Sequence, residues 1–261
     1  MGFEGKVVIV TGGSSGIGAG AAIHLAKLGA KVAIVGRNEK GLAEVAEQIK
    51  NSGSSSPLQI VADVTKDGER IVDETIKQFG RLDVLLNNAG ISVHNTICDM
   101  NCADFDRVFD TNVRSVITLT QLCLPHLEKT KGNIVNVSSI AGLKPIPTLT
   151  AYSISKAALD QLTRCCALDL ASKGIRVNAV NPAVIQTPIF QKVGMTDEMV
   201  EKLFEQVKST YPVGRVGKVT DTSAAIAFLA DNEIASFFTG INLPVDGGAM
   251  VAGVGYKPTE N

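Results

Sequence analysis

The sequence predicts an α/β protein with a single doubly wound parallel sheet of about seven strands and helices on both of its faces. Short apolar runs alternate with longer segments of helical periodicity, as they do in repeated strand–helix–strand units with right-handed crossovers. The short runs read as largely continuous apolar segments, which is typical of strands buried on both faces. Because 45% of the 261 residues are hydrophobic and 20% are charged, the chain can form a sizeable core, and we expect one domain over residues 1–261.

The predicted elements follow one another in chain order, beginning with a β-branched strand and a helix that is closed by Gly29. Strands are predicted at Val7–Thr11, Lys31–Gly36, Leu58–Ala62, Val84–Asn87, Ile134–Val137, Arg176–Asn181 and Asn242–Val245. Helices are predicted at Ile17–Leu28, Glu39–Lys50, Asp67–Phe79, Phe105–Lys129, Tyr152–Lys173 and Val219–Ala230. Asn38 can cap the second helix, because its side chain can accept a hydrogen bond from a free backbone amide. The sheet pattern lapses over residues 187–215, where an amphipathic helix is predicted instead.

Charge, hydropathy and cysteine content argue against several classes of protein. The 25 basic and 26 acidic residues give a net charge of −1, and no basic stripe is present to neutralise nucleic-acid phosphates. No apolar run approaches the ~18–20 residues that a bilayer span needs, and the first residues lack the apolar segment of a signal peptide. The five cysteines and three histidines show no metal-ligand spacing, so we predict no metal site and a reducing, cytoplasmic location.

A glycine-rich turn at Thr11–Gly18 joins the first predicted strand to the first predicted helix. Backbone amides at a helix N-terminus, unobstructed by Cβ atoms, can hold a pyrophosphate. The spacing is G-x-x-x-G-x-G rather than G-x-G-x-x-G, so the turn alone leaves nucleotide binding and a merely structural turn as equal alternatives. The residues expected to contact the phosphates are Gly12, Ser14, Ser15, Gly16, Ile17 and Gly18.

The end of the second predicted strand bears on which dinucleotide would bind. An NAD site usually places a carboxylate here for the ribose hydroxyls, whereas an arginine suits the 2′-phosphate of NADP. Gly36 offers no carboxylate and Arg37 follows it directly, so we expect NADP(H) in preference to NAD(H). The alternative is that Arg37 is a solvated charge and Glu39 holds the ribose, although Glu39 also suits the first turn of the next helix.

Tyr152 and Lys156 lie one turn apart on the same face of a predicted helix. An ammonium group there favours the phenolate, so we expect the pKa of Tyr152 to fall below its ordinary value of about 10. A phenol adjusted in this way can donate or accept a proton near neutral pH. Ser138 and Ser139 follow a predicted strand at the edge where parallel sheets build their ligand crevice, so a hydroxyl there can polarise a carbonyl oxygen.

In combination, these motifs resemble those of the short-chain dehydrogenase/reductase family, whose fold is Rossmann-like. The resemblance covers essentially the whole chain, and its motifs occur in the family's order and spacing. The matching stretches are Thr11–Gly18, Asp63–Val64, Asn87–Gly90, Asn112, Ser139, Tyr152 with Lys156, Asn181–Pro182 with Thr187, and Val245–Gly248. The resemblance implies an oxidoreductase that interconverts a carbonyl and an alcohol with a nicotinamide dinucleotide. It also implies a homotetramer, because in relatives the two long helices pair subunits.

The resemblance assigns the catalytic roles to four residues. Tyr152 would donate a proton to a carbonyl and accept one from an alcohol, and Ser139, thirteen residues before it, would steady the substrate. Lys156 would tune Tyr152 and bind the nicotinamide ribose, and Asn112 would hold a water that links Lys156 to solvent. Further cofactor contacts are implied for Arg37, Asn38, Asp63, Val64, Asn88, Ala89, Gly90, Pro182, Ile185 and Thr187. The family usually has Pro-Gly where this chain has Pro182–Ala183, which leaves the shape of the pocket there open.

The sequence therefore predicts an NADP(H)-dependent carbonyl reductase or alcohol dehydrogenase. Apolar residues between positions 187 and 215 favour a lipophilic substrate such as a ketosteroid, an isoprenoid or a 3-oxoacyl compound, and His94 is close enough to Gly90 to touch it. The alternatives are an NAD(H)-dependent alcohol dehydrogenase of the same family, a methyltransferase and a non-enzymatic dinucleotide-binding sensor. A methyltransferase would leave Tyr152 and its partners unexplained, and a sensor would be expected to have lost one of them.

Overall fold

Seven parallel strands form one sheet, in the spatial order β3-β2-β1-β4-β5-β6-β7. The computed structural model describes residues 2–252, so both ends of the predicted 1–261 domain lie outside the described part of the chain. The strands are β1 (Val7–Thr11), β2 (Lys31–Gly36), β3 (Leu58–Val61), β4 (Val84–Asn87), β5 (Asn133–Val137), β6 (Arg176–Pro182) and β7 (Asn242–Val245). The predicted fold class, a doubly wound parallel sheet, is confirmed.

Helices connect successive strands. They are α1 (Gly16–Lys27), α2 (Glu39–Asn51), α3 (Gly68–Phe79), α4 (Cys102–Phe109), α5 (Ser115–Thr130), α6 (Thr150–Leu170), α7 (Ile189–Lys192), α8 (Asp197–Thr210) and α9 (Val219–Ala230). Asn38 caps α2 as expected, its side chain accepting a hydrogen bond from the amide of Gly41 at 3.1 Å. Within residues 2–252, no helix combines the length and the apolar character needed to cross a membrane.

Two apolar clusters, one on each face of the sheet, form the core. Val8 and Val10 of β1 pack with α1, α2 and α9, whereas Val7 and Ile9 pack on the opposite face with α3, α5 and α6. Successive strand residues point to opposite faces, so a strand covered on both sides is apolar at most positions. Each buried valine or leucine contributes roughly 1.5–3 kcal/mol relative to an exposed one.

The long helix predicted at Phe105–Lys129 is in fact three elements. Helix α4 ends at Phe109, a π-helical turn spans Asp110–Arg114, and α5 continues from Ser115. A π-turn inserts one residue into a continuous helical path, so hydrophobic periodicity hardly changes across it. The helix predicted at Tyr152–Lys173 is α6 followed by a 3₁₀ turn at Ala171–Lys173, and the other predicted strands and helices differ from the structure by a residue or so at their ends.

The site is positioned by the reversal of strand order at β1. Strand β1 lies between β2 and β4, so the chain leaves β1 in one direction and returns on its other side. This reversal opens a crevice at the carboxyl ends of the strands. Thr11, Asn87, Val137 and Pro182 end their strands at this edge.

Candidate active site

A cavity of about 560 Å³ runs along the carboxyl edge of the sheet. The sequence-predicted residues that line it are Gly12, Ser14, Ser15, Gly16, Ile17, Arg37, Asp63, Val64, Asn88, Ala89, Gly90, Ser139, Tyr152, Lys156, Pro182, Ile185 and Thr187. Three other predicted site residues, Gly18, Asn38 and Asn112, do not line it. The structure therefore brings together residues that are as far apart in sequence as Gly12 and Thr187.

The glycine-rich turn is fastened to the loop that follows β4. The Asn88 side-chain amide donates to the carbonyl of Thr11 at 2.8 Å, and the Thr11 hydroxyl accepts from the backbone amides of Asn88 and Ala89 at 2.9 and 3.0 Å. A Cβ atom on Gly12, whose φ is +66°, would lie 2.6 Å from the Asn88 amide nitrogen, and one on Gly18 would overlap the same group. Gly18 is therefore required for packing within the turn, and its expected contact with the cofactor stays a prediction.

One end of the cavity carries Arg37 and Asp63. The guanidinium Nη1 lies 3.7 Å from Oδ2 of Asp63, and the arginine side chain remains 72% exposed. Burial opposes ionisation of Asp63, but hydrogen bonds from Thr65 and the charge of Arg37 lower the pKa of its carboxyl group. Asn38, by contrast, is engaged in capping α2, which explains why it does not line the cavity.

Tyr152, Lys156 and Ser139 meet at the other end of the cavity. Tyr152 and Lys156 lie one turn apart on α6, and the Lys156 ammonium is 5.6 Å from the centre of the phenol ring. The ammonium is buried and donates to the carbonyl of Val137, the last residue of β5, at 2.8 Å. Ser139 follows β5, and its hydroxyl accepts from the amide of Ala141 at 3.1 Å. The three side chains are thus held by the end of one strand and the first turns of one helix.

The expected lowering of the Tyr152 pKa is wrong for this structure. Burial raises the pKa of the phenol above its ordinary value, while the neighbouring Ser139 hydroxyl acts in the opposite direction. Burial also lowers the pKa of Lys156 to about 8, and the charge of Asp160 acts against that shift. Desolvation disfavours the charged form of each group, so the phenol is held protonated at neutral pH.

A buried carboxylate lies one further turn along α6. Asp160 is four residues beyond Lys156, and both of its oxygens accept from the Asn181 side-chain amide at 2.9 and 3.0 Å. Burial raises the pKa of Asp160, although hydrogen bonds from Ser138 and Asn181 and the charges of Lys156 and Arg164 oppose the shift. Asp160 was not predicted as a site residue, because a carboxylate at this helical spacing is usually a solvated one.

Asn112 connects the π-turn to the two segments around the catalytic end. Its side-chain oxygen accepts from the amide of Ile91 at 2.8 Å, and its nitrogen donates to the Ile91 carbonyl at 2.9 Å and to Ser155 Oγ at 3.0 Å. Ser155 in turn donates to the carbonyl of Tyr152 at 2.7 Å. These bonds give Asn112 a bracing role, and its proposed role in holding a water stays a prediction.

Mostly apolar residues complete the lining of the cavity that contains Tyr152, and we call the set they form the substrate chamber. They are Ile91, Ser92, His94, Ile146, Pro147, Thr148, Leu149, Ile189, Phe190, Val193, Met195, Leu203 and Tyr211. Thr148 has a φ of +62°, and His94 Nδ1 lies 3.4 Å from its hydroxyl. The loop residues 146–149 and Tyr211 were not predicted, because nothing in their periodicity or composition separates them from ordinary turns.

The residues present fit a nicotinamide dinucleotide. Within the described part of the chain, the cavity is lined by three cations, Arg37, Lys156 and Lys192, and by one carboxylate, Asp63, which suits an anionic ligand. The glycine-rich turn leads into the N-terminus of α1, where backbone amides are free to bind phosphate. A side chain at position 90 would have little room, because a Cβ on Gly90 would lie 3.3 Å from Asn112 Oδ1 and 3.6 Å from Lys156 Nζ.

Comparison with known proteins identifies oxidoreductases as relatives over most of the chain. A family model described as enoyl-(acyl carrier protein) reductase matches residues 12–250. An uncharacterized oxidoreductase from Thermotoga maritima is 43% identical over 250 residues, which cover 95% of this chain and 99% of the relative.

Solved structures agree with these sequence matches. A short-chain dehydrogenase/reductase of unknown function from Caenorhabditis elegans, solved with cofactor, has a TM-score of 0.92 and 38% identity, covering 97% of this chain and 98% of its own. A glucose dehydrogenase from the same organism, solved in its apo form, has a TM-score of 0.84 and 41% identity, covering 96% and 100%. The chain belongs to the short-chain dehydrogenase/reductase family of oxidoreductases.

Proposed function

We propose that the protein is an NADP(H)-dependent oxidoreductase that interconverts a carbonyl and a secondary alcohol on a lipophilic substrate. The observation that carries the proposal is the meeting of Ser139, Tyr152 and Lys156 in the cavity that also contains the glycine-rich turn. Such a cavity can hold a hydride-carrying cofactor and a proton-donating phenol side by side.

Proton transfer is assigned to Tyr152. The cofactor, when bound, supplies or accepts the hydride. Because burial raises the pKa of Tyr152, the phenol is protonated at neutral pH and can give its proton to a carbonyl oxygen during reduction. The Lys156 ammonium stabilises the phenolate that is left behind, and its connection to Val137 keeps it at that position.

Ser139 is assigned to polarising the reacting oxygen. The Ser139 hydroxyl oxygen already accepts a hydrogen bond from the amide of Ala141, so the hydroxyl proton of Ser139 points away from that amide. Its contact with the carbonyl of Pro182 is long, at 3.4 Å, and can be exchanged for a substrate oxygen at little cost. A hydrogen bond to the developing negative charge lowers the barrier more than one to the neutral carbonyl does.

The preference for NADP(H) rests on Arg37. The guanidinium lies beside the adenosine end of the crevice, and Gly36 before it has no carboxylate to bind the ribose hydroxyls. The neighbouring Asp63 engages Arg37 only at 3.7 Å, so the arginine keeps donors for a phosphate.

The preference for a lipophilic substrate rests on the chamber beside Tyr152. Phe190, Met195 and Leu203 line it from the segment after β6, and Ile91 and Leu149 line it from the opposite side. Burying a carbon skeleton among such side chains contributes roughly 25 cal/mol per Å² of apolar surface. The candidate classes are ketosteroids, isoprenoid alcohols and 3-oxoacyl compounds.

A second candidate is a substrate with several hydroxyl groups. The Ser92 hydroxyl is buried at the cavity wall and has no hydrogen-bond partner among residues 2–252, and His94 and Thr148 add polar atoms nearby. A buried donor without a partner favours a ligand that supplies one. The similarity to a protein named glucose dehydrogenase points the same way.

We also propose a cytoplasmic homotetramer. Leu168 on α6 is 80% exposed and Phe237 is fully exposed, and such side chains favour burial between subunits. All five cysteines are free, as is usual in a reducing compartment. Light scattering on the purified protein measures the assembly directly.

Cofactor titration followed by a substrate screen tests the function. Tight, saturable binding of NADPH, followed by nicotinamide fluorescence, with weaker binding of NADH, is expected. The screen should include ketosteroids, isoprenoid alcohols, 3-oxoacyl thioesters, diketones and aldoses. Turnover of the first three groups supports the lipophilic substrate, turnover of aldoses alone supports the second candidate, and failure to bind either dinucleotide rejects both.

A further inference from the structure

We propose that Lys192 binds the pyrophosphate of the dinucleotide and so fastens the segment that covers the substrate chamber. The inference rests on the proposed dinucleotide-binding function and adds a phosphate-binding residue from outside the glycine-rich turn. Lys192 is the last residue of α7, in the segment between β6 and α8.

The first observation is a contact between segments that are distant in sequence. The ammonium Nζ of Lys192 lies 2.8 Å from the hydroxyl oxygen of Ser15, in the glycine-rich turn. Ser15 is at the N-cap of α1, and its side chain accepts no hydrogen bond from the backbone of that helix. Among residues 2–252, Lys192 makes no ion pair with a carboxylate, although lysines of the neighbouring α8 do. Its ammonium is therefore available to an anion at the turn.

The second observation is the distribution of charge along the cavity. Arg37 lies at the adenosine end beside Asp63, and Lys156 lies at the catalytic end with its ammonium bonded to Val137. Lys192 is the remaining cation of the lining among residues 2–252. Its contact with Ser15, which follows β1, places it between Arg37 after β2 and Lys156 at the end of β5. A diphosphate that joins two nucleoside ends has its negative charge in the same middle position. The ligand class is therefore a diphosphate diester and not a substrate carboxylate.

The third observation connects Lys192 with the substrate chamber. Phe190, two residues before Lys192, packs edge-to-face against Phe204 of α8, with ring centres 5.8 Å apart. The carbonyl of Phe190 accepts from the amide of Met195 at 3.0 Å, and both residues line the chamber. A phosphate held by Lys192 therefore restrains the same short helix that forms the chamber wall. Cofactor binding should promote substrate binding through this helix.

The test compares Lys192→Gln with Lys192→Arg and with the control Lys202→Gln. Lys202 lies on α8, is exposed, pairs with Glu198 and does not line the cavity. Affinities are measured for NADPH, NADH, ADP-ribose and adenosine, at low and at moderate salt. For Lys192→Gln we expect about tenfold weaker binding of both dinucleotides and of ADP-ribose at low salt, equivalent to about 1.4 kcal/mol. Adenosine, which lacks phosphate, should bind as it does to the wild type.

The salt dependence and the kinetics complete the pattern. The salt dependence of dinucleotide binding should be shallower in Lys192→Gln, because one cation has been removed. The substrate KM should rise while kcat at saturating cofactor changes little, and Lys192→Arg should restore most of the affinity. Lys202→Gln should match the wild type in every measurement.

Three results would overturn the inference, and a fourth bears on the proposed function itself. Unchanged affinity for ADP-ribose in Lys192→Gln would show that Lys192 does not bind the diphosphate. Weakening of NADPH alone would assign Lys192 to the 2′-phosphate, and equal weakening of adenosine would show a general disturbance of the cavity. If the wild-type protein binds no dinucleotide at all, the proposed function fails together with the inference. If the wild type binds dinucleotides and only the results for Lys192→Gln differ from those expected, the inference alone fails.

Discussion

Replacement of Arg37 by alanine should weaken the preference for NADPH, by an amount that depends on how exposed the arginine side chain is. Two unit charges about 4 Å apart interact with roughly 1 kcal/mol in water and roughly 4 kcal/mol at an effective dielectric constant of 20. The Arg37 side chain is largely exposed, so the value lies near the lower limit, at about 1–2 kcal/mol. NADPH should therefore bind about 5- to 30-fold more weakly to Arg37→Ala.

The effect on NADH should be small, because NADH carries no 2′-phosphate. In the wild type, the Asp63 carboxylate lies 3.7 Å from the Arg37 guanidinium, and the substitution removes this partner. Its negative charge would then repel a 2′-phosphate, which acts in the same direction as the lost attraction. The ratio of the two affinities, and not either affinity alone, reports the role of Arg37.

The measurement is a fluorescence titration of both coenzymes at low ionic strength, repeated at higher salt. Arg107→Ala is the matched control, because Arg107 is an exposed arginine that pairs with Asp104 and does not line the cavity. The discrimination between coenzymes should shrink as salt is added, since an exposed charge pair is screened. Equal weakening of NADPH and NADH, or none, would refute the assignment of Arg37 to the 2′-phosphate.

Two further predictions concern the surroundings of Lys156. Gly142→Ala should lower the melting temperature, because its Cβ would lie 2.8 Å from the backbone carbonyl of Lys156. Such overpacking costs about 1–3 kcal/mol, and each kcal/mol lowers the melting temperature of a chain of this size by about 2–4 °C. A melting temperature equal to that of the wild type would contradict this. Asp160→Asn should move the alkaline limb of the carbonyl-reduction pH profile to lower pH. Burial lowers the pKa of Lys156 to about 8, and the negative charge of Asp160 opposes that shift. Removal of this charge should therefore let the pKa of Lys156 fall further. An alkaline limb that stays in place would show that Asp160 does not act on Lys156.

The strands and the glycine-rich turn could be predicted from the sequence because their signals are local. The strand Val7–Thr11 opens with four consecutive apolar residues, and the structure gives it the predicted bounds. The spacing of Tyr152 and Lys156 likewise places them on one helix face without knowledge of the fold. What the spacing could not give was the direction of the Tyr152 pKa shift, because burial depends on segments that cover the helix from elsewhere.

Other features of the site depend on contacts between distant parts of the chain. The contact of Lys192 with Ser15 joins residues 177 positions apart, and no local pattern predicts it. The π-turn around Asn112 is braced by hydrogen bonds to Ile91, which lies 21 residues earlier, in the loop that follows β4. Gly18 was assigned to the cofactor because the motif contains it, and only the structure shows that a Cβ there would overlap the Asn88 side-chain amide.

The role of Tyr152 as the proton donor is tested most directly by Tyr152→Phe, assayed for turnover and for coenzyme binding in the same preparation. Removal of the hydroxyl takes away general acid catalysis, which contributes roughly 10²- to 10⁴-fold to the rate, while the ring still fills its place at the cavity wall. We therefore predict a loss of kcat of that order with NADPH affinity close to that of the wild type. Turnover at the wild-type rate in Tyr152→Phe would contradict the account.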